Sequence, residues 1–132
     1  MDEINKLTET VIGLAMKVHT ALGPGLLESA YEACLTYELT KNKIDHRQQI
    51  KLPIIYDGQK IEAAYRLDIL IPDQLIVECK AIERVQSIHK QQLTSYLKLS
   101  NISVGLLINF NVSRLKDGIT RTVNNYTPGL CD

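Results

Sequence analysis

The sequence has no excess of charge of either sign, since 15 Lys and Arg residues balance 15 Asp and Glu residues among 132. Without a net positive field, the protein as a whole is not drawn to nucleic acid or to an anionic membrane, and any such binding must come from a local patch. Its 45% hydrophobic and 23% charged residues are typical of an ordinary globular chain. We expect one domain over residues 1–132, able to fold without disulfides or a structural metal.

Cysteine is scarce, and long apolar runs are missing. Cys34, Cys79 and Cys131 are odd in number and show none of the paired spacings of zinc sites or disulfide frameworks. No run approaches the length of a transmembrane helix, and the charged start, MDEINKLTET, lacks the apolar segment of a signal peptide. These absences favour a cytoplasmic protein.

Apolar residues recur at helical spacing in three stretches. The first helix is predicted over 4–22 and ends at the Gly-Pro-Gly of residues 23–25. The second is predicted over about 26–40, with Leu27 on its apolar stripe. A third helix is predicted over 85–100.

Short runs rich in β-branched and aromatic residues predict strands. We expect an antiparallel pair over 48–56 and 61–71, joined by the hairpin-like DGQK, and a turn at PDQ that leads into a third strand, 75–81. The apolar run ISVGLLINF, 102–110, predicts a fourth strand after the third helix. A short strand is expected around 120–126.

The third strand, LIVECKA, carries two charges in an otherwise apolar run. Because side chains alternate along a strand, Glu78 and Lys80 share one face. A three-residue turn at PDQ would place Ile71 opposite Leu75. In that register Asp68 lies directly opposite Glu78, whereas a two-residue turn would put the two carboxylates on opposite faces.

Two facing carboxylates repel each other unless a positive charge lies between them. A divalent ion such as Mg²⁺, which takes oxygen ligands and is commonly held by one or two carboxylates, would relieve the repulsion between Asp68 and Glu78. Lys80 could then position a water and stabilise the charge that grows on a phosphate. The alternatives are a solvated face, against which the apolar flanks of both strands argue, and an ion-pair network that includes Arg66.

The third helix has a polar residue on its apolar stripe. Val85, Ile88, Gln92, Tyr96 and Leu99 recur at intervals of three and four, so we expect this stripe to pack on the sheet. An inward Gln92 needs partners, which could be a metal-bound water, a carboxylate or a phosphate. The alternative is a glutamine that caps strand ends or reaches solvent.

Asp68, the Glu78-x-Lys80 pair and Gln92-x-x-x-Tyr96 together resemble the PD-(D/E)xK nuclease superfamily, and the Gln-Tyr helix looks like its RecB-type branch. Leucine stands before Asp68, where the superfamily's name has proline.

The N-terminal segment LGPGLLESAYEACL looks like the signature of the GxxExxY family. The matching residues are Gly25, Glu28 and Tyr31, and Glu32 follows Glu28 one helical turn later.

The resemblance implies an α/β fold with a restriction-endonuclease-like αβββαβ core, in which helices flank a mixed β-sheet. It also implies metal-dependent hydrolysis of phosphodiester bonds with Mg²⁺ or Mn²⁺. Matching positions imply metal ligands at Asp68 and Glu78, with the Cys79 carbonyl as a further oxygen ligand. They imply catalytic roles for Lys80, for Glu28 as a helix carboxylate that reaches the metal, and for Gln92 beside the site.

The resemblance favours a small Mg²⁺-dependent nuclease, with DNA expected ahead of RNA as substrate. The main rival is a nuclease-fold protein that binds nucleic acid or regulates a partner without cleaving. A purely structural interaction protein is a third alternative and would bind no metal. A homodimer would cover more of a duplex than one small domain.

Other residues have simpler interpretations. Tyr31 and Tyr96 are expected in the core with satisfied hydroxyl groups, and His19 is expected to be structural. A basic set on and before the third helix is either a solvated face or a ridge that contacts phosphates, and it comprises Arg84, His89, Lys90 and Lys98.

Overall fold

The computed structural model describes residues 2–62 and 65–124. In chain order the elements are α1 (Asp2–Leu22), α2 (Glu28–Lys41), β1 (Arg47–Lys51), β2 (Ile54–Tyr56), β3 (Gln59–Ile61), β4 (Arg66–Ile71), β5 (Leu75–Lys80), α3 (Ser87–Ser100), β6 (Val104–Asn109) and β7 (Ile119–Val123), with a 3₁₀ turn at Leu115–Gly118 before β7. None of the helices in these ranges has the length and apolar character needed to cross a membrane.

Five strands form one mixed sheet in the order β1-β4-β5-β6-β7. β5 and β6 are parallel and are joined through α3, whereas the other neighbouring pairs are antiparallel. Helices flank this sheet, with α1 and α2 on one face and α3 on the other. The mixed sheet and its helices confirm the predicted fold class.

The predicted first hairpin is interrupted. Residues 48–56 and 61–71 were each expected to be one strand, but β2 and β3 form a separate two-stranded ribbon. Pro53 lies at the break and has no N–H to donate to a ladder. The ribbon turns at Asp57 and Gly58, whose φ values of 53° and 73° are those of a tight hairpin turn.

The remaining boundaries differ from the prediction by a few residues. α2 begins at Glu28, so Leu27 precedes the helix and is 76% exposed instead of lying on its buried stripe. β5 ends one residue earlier than expected, and β7 begins one residue earlier. The end of the predicted last strand, residues 125–126, lies outside the described residues.

Both faces of the sheet are covered, which gives two hydrophobic clusters. Val77 and Ile108 belong to the cluster under α1 and α2, whereas Ile76 and Leu107 belong to the cluster under α3. Successive residues of β5 and β6 therefore alternate between the two clusters, as expected for strands buried on both faces. Glu78, two residues after Ile76, lies on the α3 side.

α3 packs on the sheet through a stripe that is rotated from the predicted one, although the predicted Tyr96 and Val85 do pack in the cluster under α3. Its buried residues are Leu93, Tyr96 and Leu97. Ile88 and Leu99, which were expected to pack on the sheet, are 61% and 44% exposed. The reason lies in β6, where a Cβ on Gly105 would be 2.9 Å from Leu93 Cδ1. The missing side chain leaves space for Leu93, and this contact sets the rotation of the helix.

Two glycines are needed for different close approaches, and a third is not. A Cβ on Gly118 would overlap the backbone oxygen of Asn109, which is a rigid neighbour. The nearest neighbour of Gly105 is the end of the Leu93 side chain, which can rotate. Gly13 is exposed on α1 and has no atom within 4 Å of an added Cβ.

We therefore expect three different results from three Gly→Ala substitutions. Gly118→Ala should lower the free energy of unfolding by about 3 kcal/mol or more, and Gly105→Ala by about 1 kcal/mol, since overpacking a core costs about 1–3 kcal/mol. Gly13→Ala should raise it by about 0.5–1 kcal/mol, because alanine is the better helix former. Urea denaturation measures all three, and equal stability of the Gly118→Ala and Gly13→Ala variants would contradict this packing.

Candidate metal-binding and catalytic site

The ladder between β4 and β5 has the register on which the site depends. Ile71 pairs with Leu75, and Ile69 pairs with Val77. The predicted three-residue turn is thus confirmed, with the Gln74 N–H donating to the Ile71 carbonyl at 3.0 Å. If this register continues by one more pair, Asp68 lies opposite Glu78.

At this pair of residues, the backbone N–H groups donate to side-chain carboxylates and not to the carbonyl groups of the neighbouring strand. The Asp68 N–H donates to Glu78 Oε2, and the Cys79 N–H donates to Asp68 Oδ2, each at 2.9 Å. Each strand therefore donates a backbone N–H to a carboxylate of the other. Glu78 is only 5% exposed and Asp68 is half-buried. This crossed pair of hydrogen bonds holds both acidic side chains at one place between the strands.

Burial makes the negative charge of this pair unfavourable. Burial, and then the charge of Asp68, raise the pKa of Glu78 to about 8, although the hydrogen bond from the Asp68 N–H and the charge of Lys80 act in the opposite direction. Burial also raises the pKa of Asp68, against the hydrogen bond from the Cys79 N–H. Without a cation, the pair therefore retains a proton near neutral pH.

Lys80 is half-buried at the end of β5 and lowers the pKa of both carboxyl groups through its charge. The ion pairs found within residues 2–62 and 65–124 involve other groups, so neither Lys80 nor Arg66 is bonded to the acidic pair. The alternative of an ion-pair network that includes Arg66 is therefore not what the structure shows.

Glu32 and Gln49, which the sequence analysis did not assign to the site, extend it toward α2. Gln49 Nε2 donates to both oxygens of Glu32, at 3.1 and 3.0 Å, and contacts Asp68 Oδ1 at 3.5 Å. Gln48 Nε2 also donates to Glu32, at 3.1 Å. The position of Glu32 one turn after Glu28 was the available signal, whereas nothing in the sequence marked Gln49.

Gln49 has an unusual backbone conformation for a strand residue. Its φ is +51°, in the left-handed region that residues with a side chain rarely adopt. It lies opposite Asp68 in the β1–β4 ladder, between the paired positions Gln48↔Ile69 and Ile50↔Leu67. Strained conformations of this kind persist where surrounding contacts hold them, and here the contacts are those to Glu32 and Asp68.

The two predicted catalytic residues on the helices, Glu28 and Gln92, have different surroundings. Glu28 is exposed at the start of α2, and its charge raises the pKa of Asp68, more weakly than that of Glu32 does. Gln92 is half-buried on α3 and lines a cavity together with Tyr96. Burial raises the pKa of Tyr96 to about 12, with a further contribution from the charge of Glu78.

Tyr31 and His19 have structural contacts, as expected. The Tyr31 hydroxyl donates to the Gly23 carbonyl at 2.5 Å and accepts from the Leu26 N–H at 3.1 Å, and its ring stacks on Phe110 at 4.5 Å. His19 Nε2 lies 2.8 Å from the Val112 oxygen. Both side chains brace the turn between α1 and α2 and the loop after β6.

Comparison with known proteins gives one match, a family model for the PD-(D/E)XK nuclease superfamily over residues 5–122. The chain belongs to this superfamily. Searches of curated proteins and of solved structures gave no match. The match confirms the predicted superfamily, while the RecB-type and GxxExxY assignments stay predictions.

Nucleases of the PD-(D/E)XK superfamily generally use divalent metals, and the acidic pair can be tested for fit. Each carboxylate accepts a backbone N–H with one oxygen. The other oxygens are Glu78 Oε1 and Asp68 Oδ1, of which Asp68 Oδ1 has the long contact with Gln49 Nε2 at 3.5 Å. In the described ranges no three or more His, Cys, Asp or Glu side chains are placed to hold a metal ion together. Two hard oxygen donors fit an ion such as Mg²⁺, which needs only one or two carboxylates and retains waters.

The metal-free PD-(D/E)XK domain should lose stability as pH rises. Below the ordinary pKa of 4.5, Glu78 is protonated in both the folded and the unfolded state, so it contributes no difference. Between 4.5 and about 8 the folded state keeps the proton that the unfolded state loses, and above about 8 the full cost is present. Urea denaturation in EDTA at pH 5, 7 and 9 measures this fall.

Substitution of Glu78 identifies the source of that dependence. Glu78→Gln should flatten most of the fall and be more stable than wild type at pH 9. The matched control Glu83→Gln alters an exposed glutamate and should leave the dependence unchanged. The interpretation fails if Glu78→Gln retains the slope of the wild type.

Because Gln49 has a left-handed conformation, we expect glycine to be more stable than alanine at this position, the reverse of their usual order in a strand. Gln49→Gly and Gln49→Ala both lose the amide, but only alanine retains the backbone cost, so the glycine variant should be more stable by about 1 kcal/mol. Urea denaturation of both variants measures the difference. At the neighbouring Gln48, whose φ is ordinary, glycine should be the less stable of the two, and the same rank at both positions would count against the strain.

Proposed function

We propose that the protein is a metal-dependent nuclease that hydrolyses phosphodiester bonds of nucleic acid, with DNA ahead of RNA as its substrate. The observation that carries the proposal is the crossed hydrogen bonding of Asp68 and Glu78, which brings a half-buried and a buried carboxylate together near Lys80 in a chain of the PD-(D/E)XK superfamily. The charge, burial and hydrogen bonding of these two side chains support a cation site.

In this proposal Asp68 and Glu78 hold Mg²⁺ or Mn²⁺ through their remaining oxygens, with the Cys79 carbonyl as a further ligand. When bound, the ion supplies a Lewis acid and a water of lowered pKa. The acidic pair gives up its retained proton to the solvent on binding the cation. The backbone N–H groups of Asp68 and Cys79 keep the carboxylates in place, so little reorganisation is needed.

Hydrolysis forms a bond from a water oxygen to phosphorus, with one proton of that water released to the solvent. It breaks the bond from phosphorus to the leaving nucleoside oxygen, which takes up a proton from the solvent. Lys80 would donate to a non-bridging phosphate oxygen and stabilise the charge that develops there. Glu28 and Glu32 of α2 would orient water near the cation, and Gln92 of α3 would hold the substrate backbone.

A second candidate function is nucleic-acid binding without cleavage. It is favoured by the observation that side chains of only two acidic residues meet at the centre, with no third carboxylate, His or Cys placed with them among the described residues. We further propose that residues 1–132 act as one domain in a reducing compartment such as the cytoplasm, which suits the free thiols of Cys34 and Cys79. A homodimer stays a prediction.

Cleavage assays with purified protein separate the two candidates. The substrates are labelled single-stranded DNA, double-stranded DNA and RNA, each with Mg²⁺, Mn²⁺ or EDTA. Asp68→Asn and Glu78→Gln should abolish cleavage and weaken Mn²⁺ binding in calorimetric titration. Lys80→Ala should bind Mn²⁺ as wild type does but lose about 10²- to 10³-fold in rate, the effect of one preorganised donor.

The control is Lys116→Ala, which removes an exposed lysine of the 3₁₀ turn on the α1 side and should leave the rate unchanged. If wild type binds an oligonucleotide and cuts none of the substrates with either metal, the second candidate replaces the first. If it binds neither metal nor nucleic acid, both candidates are wrong.

A further inference from the structure

A cavity of about 600 Å³ lies on the α3 side of the sheet, between α3 and the chain that enters and leaves the β2–β3 ribbon. Its walls are mostly apolar. Ile54 and Tyr65 form one wall, and Ile88, Gln92 and Leu99 of α3 form the other. Its volume is in the range of pockets that enclose small organic groups.

Several apolar residues that line this cavity are exposed and do not pack in the hydrophobic core. Ile88 is 61% exposed, Leu99 44% and Tyr65 41%. Isolated exposed apolar residues are ordinary, but several in one concave place mark a binding surface. The rotation of α3 that Leu93 sets leaves Ile88 and Leu99 at the cavity, and all three residues lie outside both hydrophobic clusters.

Tyr96 connects the cavity with the acidic pair. Its side chain lines the cavity, and its ring meets Tyr65 edge-on at a centroid distance of 6.1 Å. Tyr96 also packs in one hydrophobic cluster with Leu67, which precedes Asp68, and with Ile76, which lies two residues before Glu78. A chain-like ligand bound in the cavity would therefore continue toward the place where the two carboxylates meet.

The polar part of the cavity wall favours an anionic ligand. Lys98 and His89 line it, and among the described residues that line it there is no carboxylate. Lys98 forms none of the ion pairs found within the described ranges. His89 Nδ1 accepts the Gln86 N–H at 2.9 Å, so the proton of the neutral ring is on Nε2, where it can be donated. A neighbouring hollow shares His89 and adds Arg84, together with Glu83.

We propose that this cavity is a binding site for single-stranded nucleic acid, in which a nucleobase packs against Tyr65 and Ile88 while phosphates contact Lys98 and His89. The proposal deepens the proposed nuclease function, on which it rests, by naming unpaired nucleotides as the substrate class. Aromatic rings and basic side chains in one groove are the usual means of holding single strands. Bases of an intact duplex are stacked inside it and cannot enter such a cavity.

Fluorescence anisotropy in EDTA tests binding without cleavage. The probes are fluorescein-labelled dT₁₂, U₁₂ and a duplex of 12 base pairs. We expect at least one of the two single strands to bind 10-fold or more tightly than the duplex. The comparison of dT₁₂ with U₁₂ then shows whether the site prefers DNA or RNA. Lys98→Gln should lower the slope of log affinity against log salt by about 0.7, the value for one phosphate contact with a single strand.

Tyr65 supplies the decisive variants. Tyr65→Leu should weaken single-strand binding about 5- to 150-fold, since stacking of one base on an aromatic ring contributes about 1–3 kcal/mol. Tyr65→Phe retains a stacking surface and should bind as wild type does, which separates stacking from loss of structure. The control Tyr37→Leu removes an exposed ring from α2, in a groove shared with α1, and should change nothing.

Three results would overturn the proposal: duplex binding as tight as single-strand binding, wild-type affinity in Tyr65→Leu, or no binding of any oligonucleotide by the wild type. Its failure is distinguishable from failure of the nuclease proposal. A protein that binds single strands through Tyr65 in EDTA but cuts nothing with Mn²⁺ retains this site and loses the nuclease function. A protein that cuts nucleic acid, but whose Tyr65→Leu variant binds single strands as tightly as wild type, retains the nuclease function and loses this site.

Discussion

The burial of two carboxylates side by side between β4 and β5 is the constraint on which the site depends. A pair of like charges this far from water is unfavourable, and the two backbone N–H groups that bond Asp68 and Glu78 offset only part of the cost, as the raised pKa values of both show. The apolar ladder on one side and the helices on both faces supply the stability that tolerates this cost. A cation that binds only the folded state would remove it and stabilise the fold.

A second set of contacts positions the groups around the acidic pair. Glu32 and Gln49 join α2 and β1 to Asp68, and Gln49 takes a left-handed conformation to reach both carboxylates. At the other end of the site, the Asn109 side chain accepts the Ile82 N–H at 3.1 Å and donates to the Ile82 carbonyl at 2.9 Å, which holds the loop after Lys80. Strain at Gln49 and a buried amide at Asn109 fix the site by local contacts instead of by regular pairing.

Strand alternation and the length of one turn were enough to predict that Asp68 and Glu78 meet, since both are short-range properties of the chain. The break at Pro53 was not predicted, although the sequence marks it, because proline cannot donate to a ladder. The conformation of Gln49 could not be predicted, since it depends on contacts with α2 that are distant in the chain. The same holds for Glu32, which reaches the centre through Gln49, whereas the predicted Glu28 is exposed.

The largest error of the sequence analysis concerns α3, and its cause bears on function. Helical spacing alone does not give the rotation of a helix about its axis, which here follows from the contact of Leu93 with the bare backbone at Gly105. That rotation leaves Ile88 and Leu99 at a cavity that Tyr96 also lines, instead of in the core. The helical spacing of these apolar residues predicts burial, but the fold leaves them exposed. Such disagreements between local pattern and fold tend to occur at functional sites. Since Lys98 and His89 line the same cavity, an anionic chain with exposed bases would contact both the apolar and the basic residues.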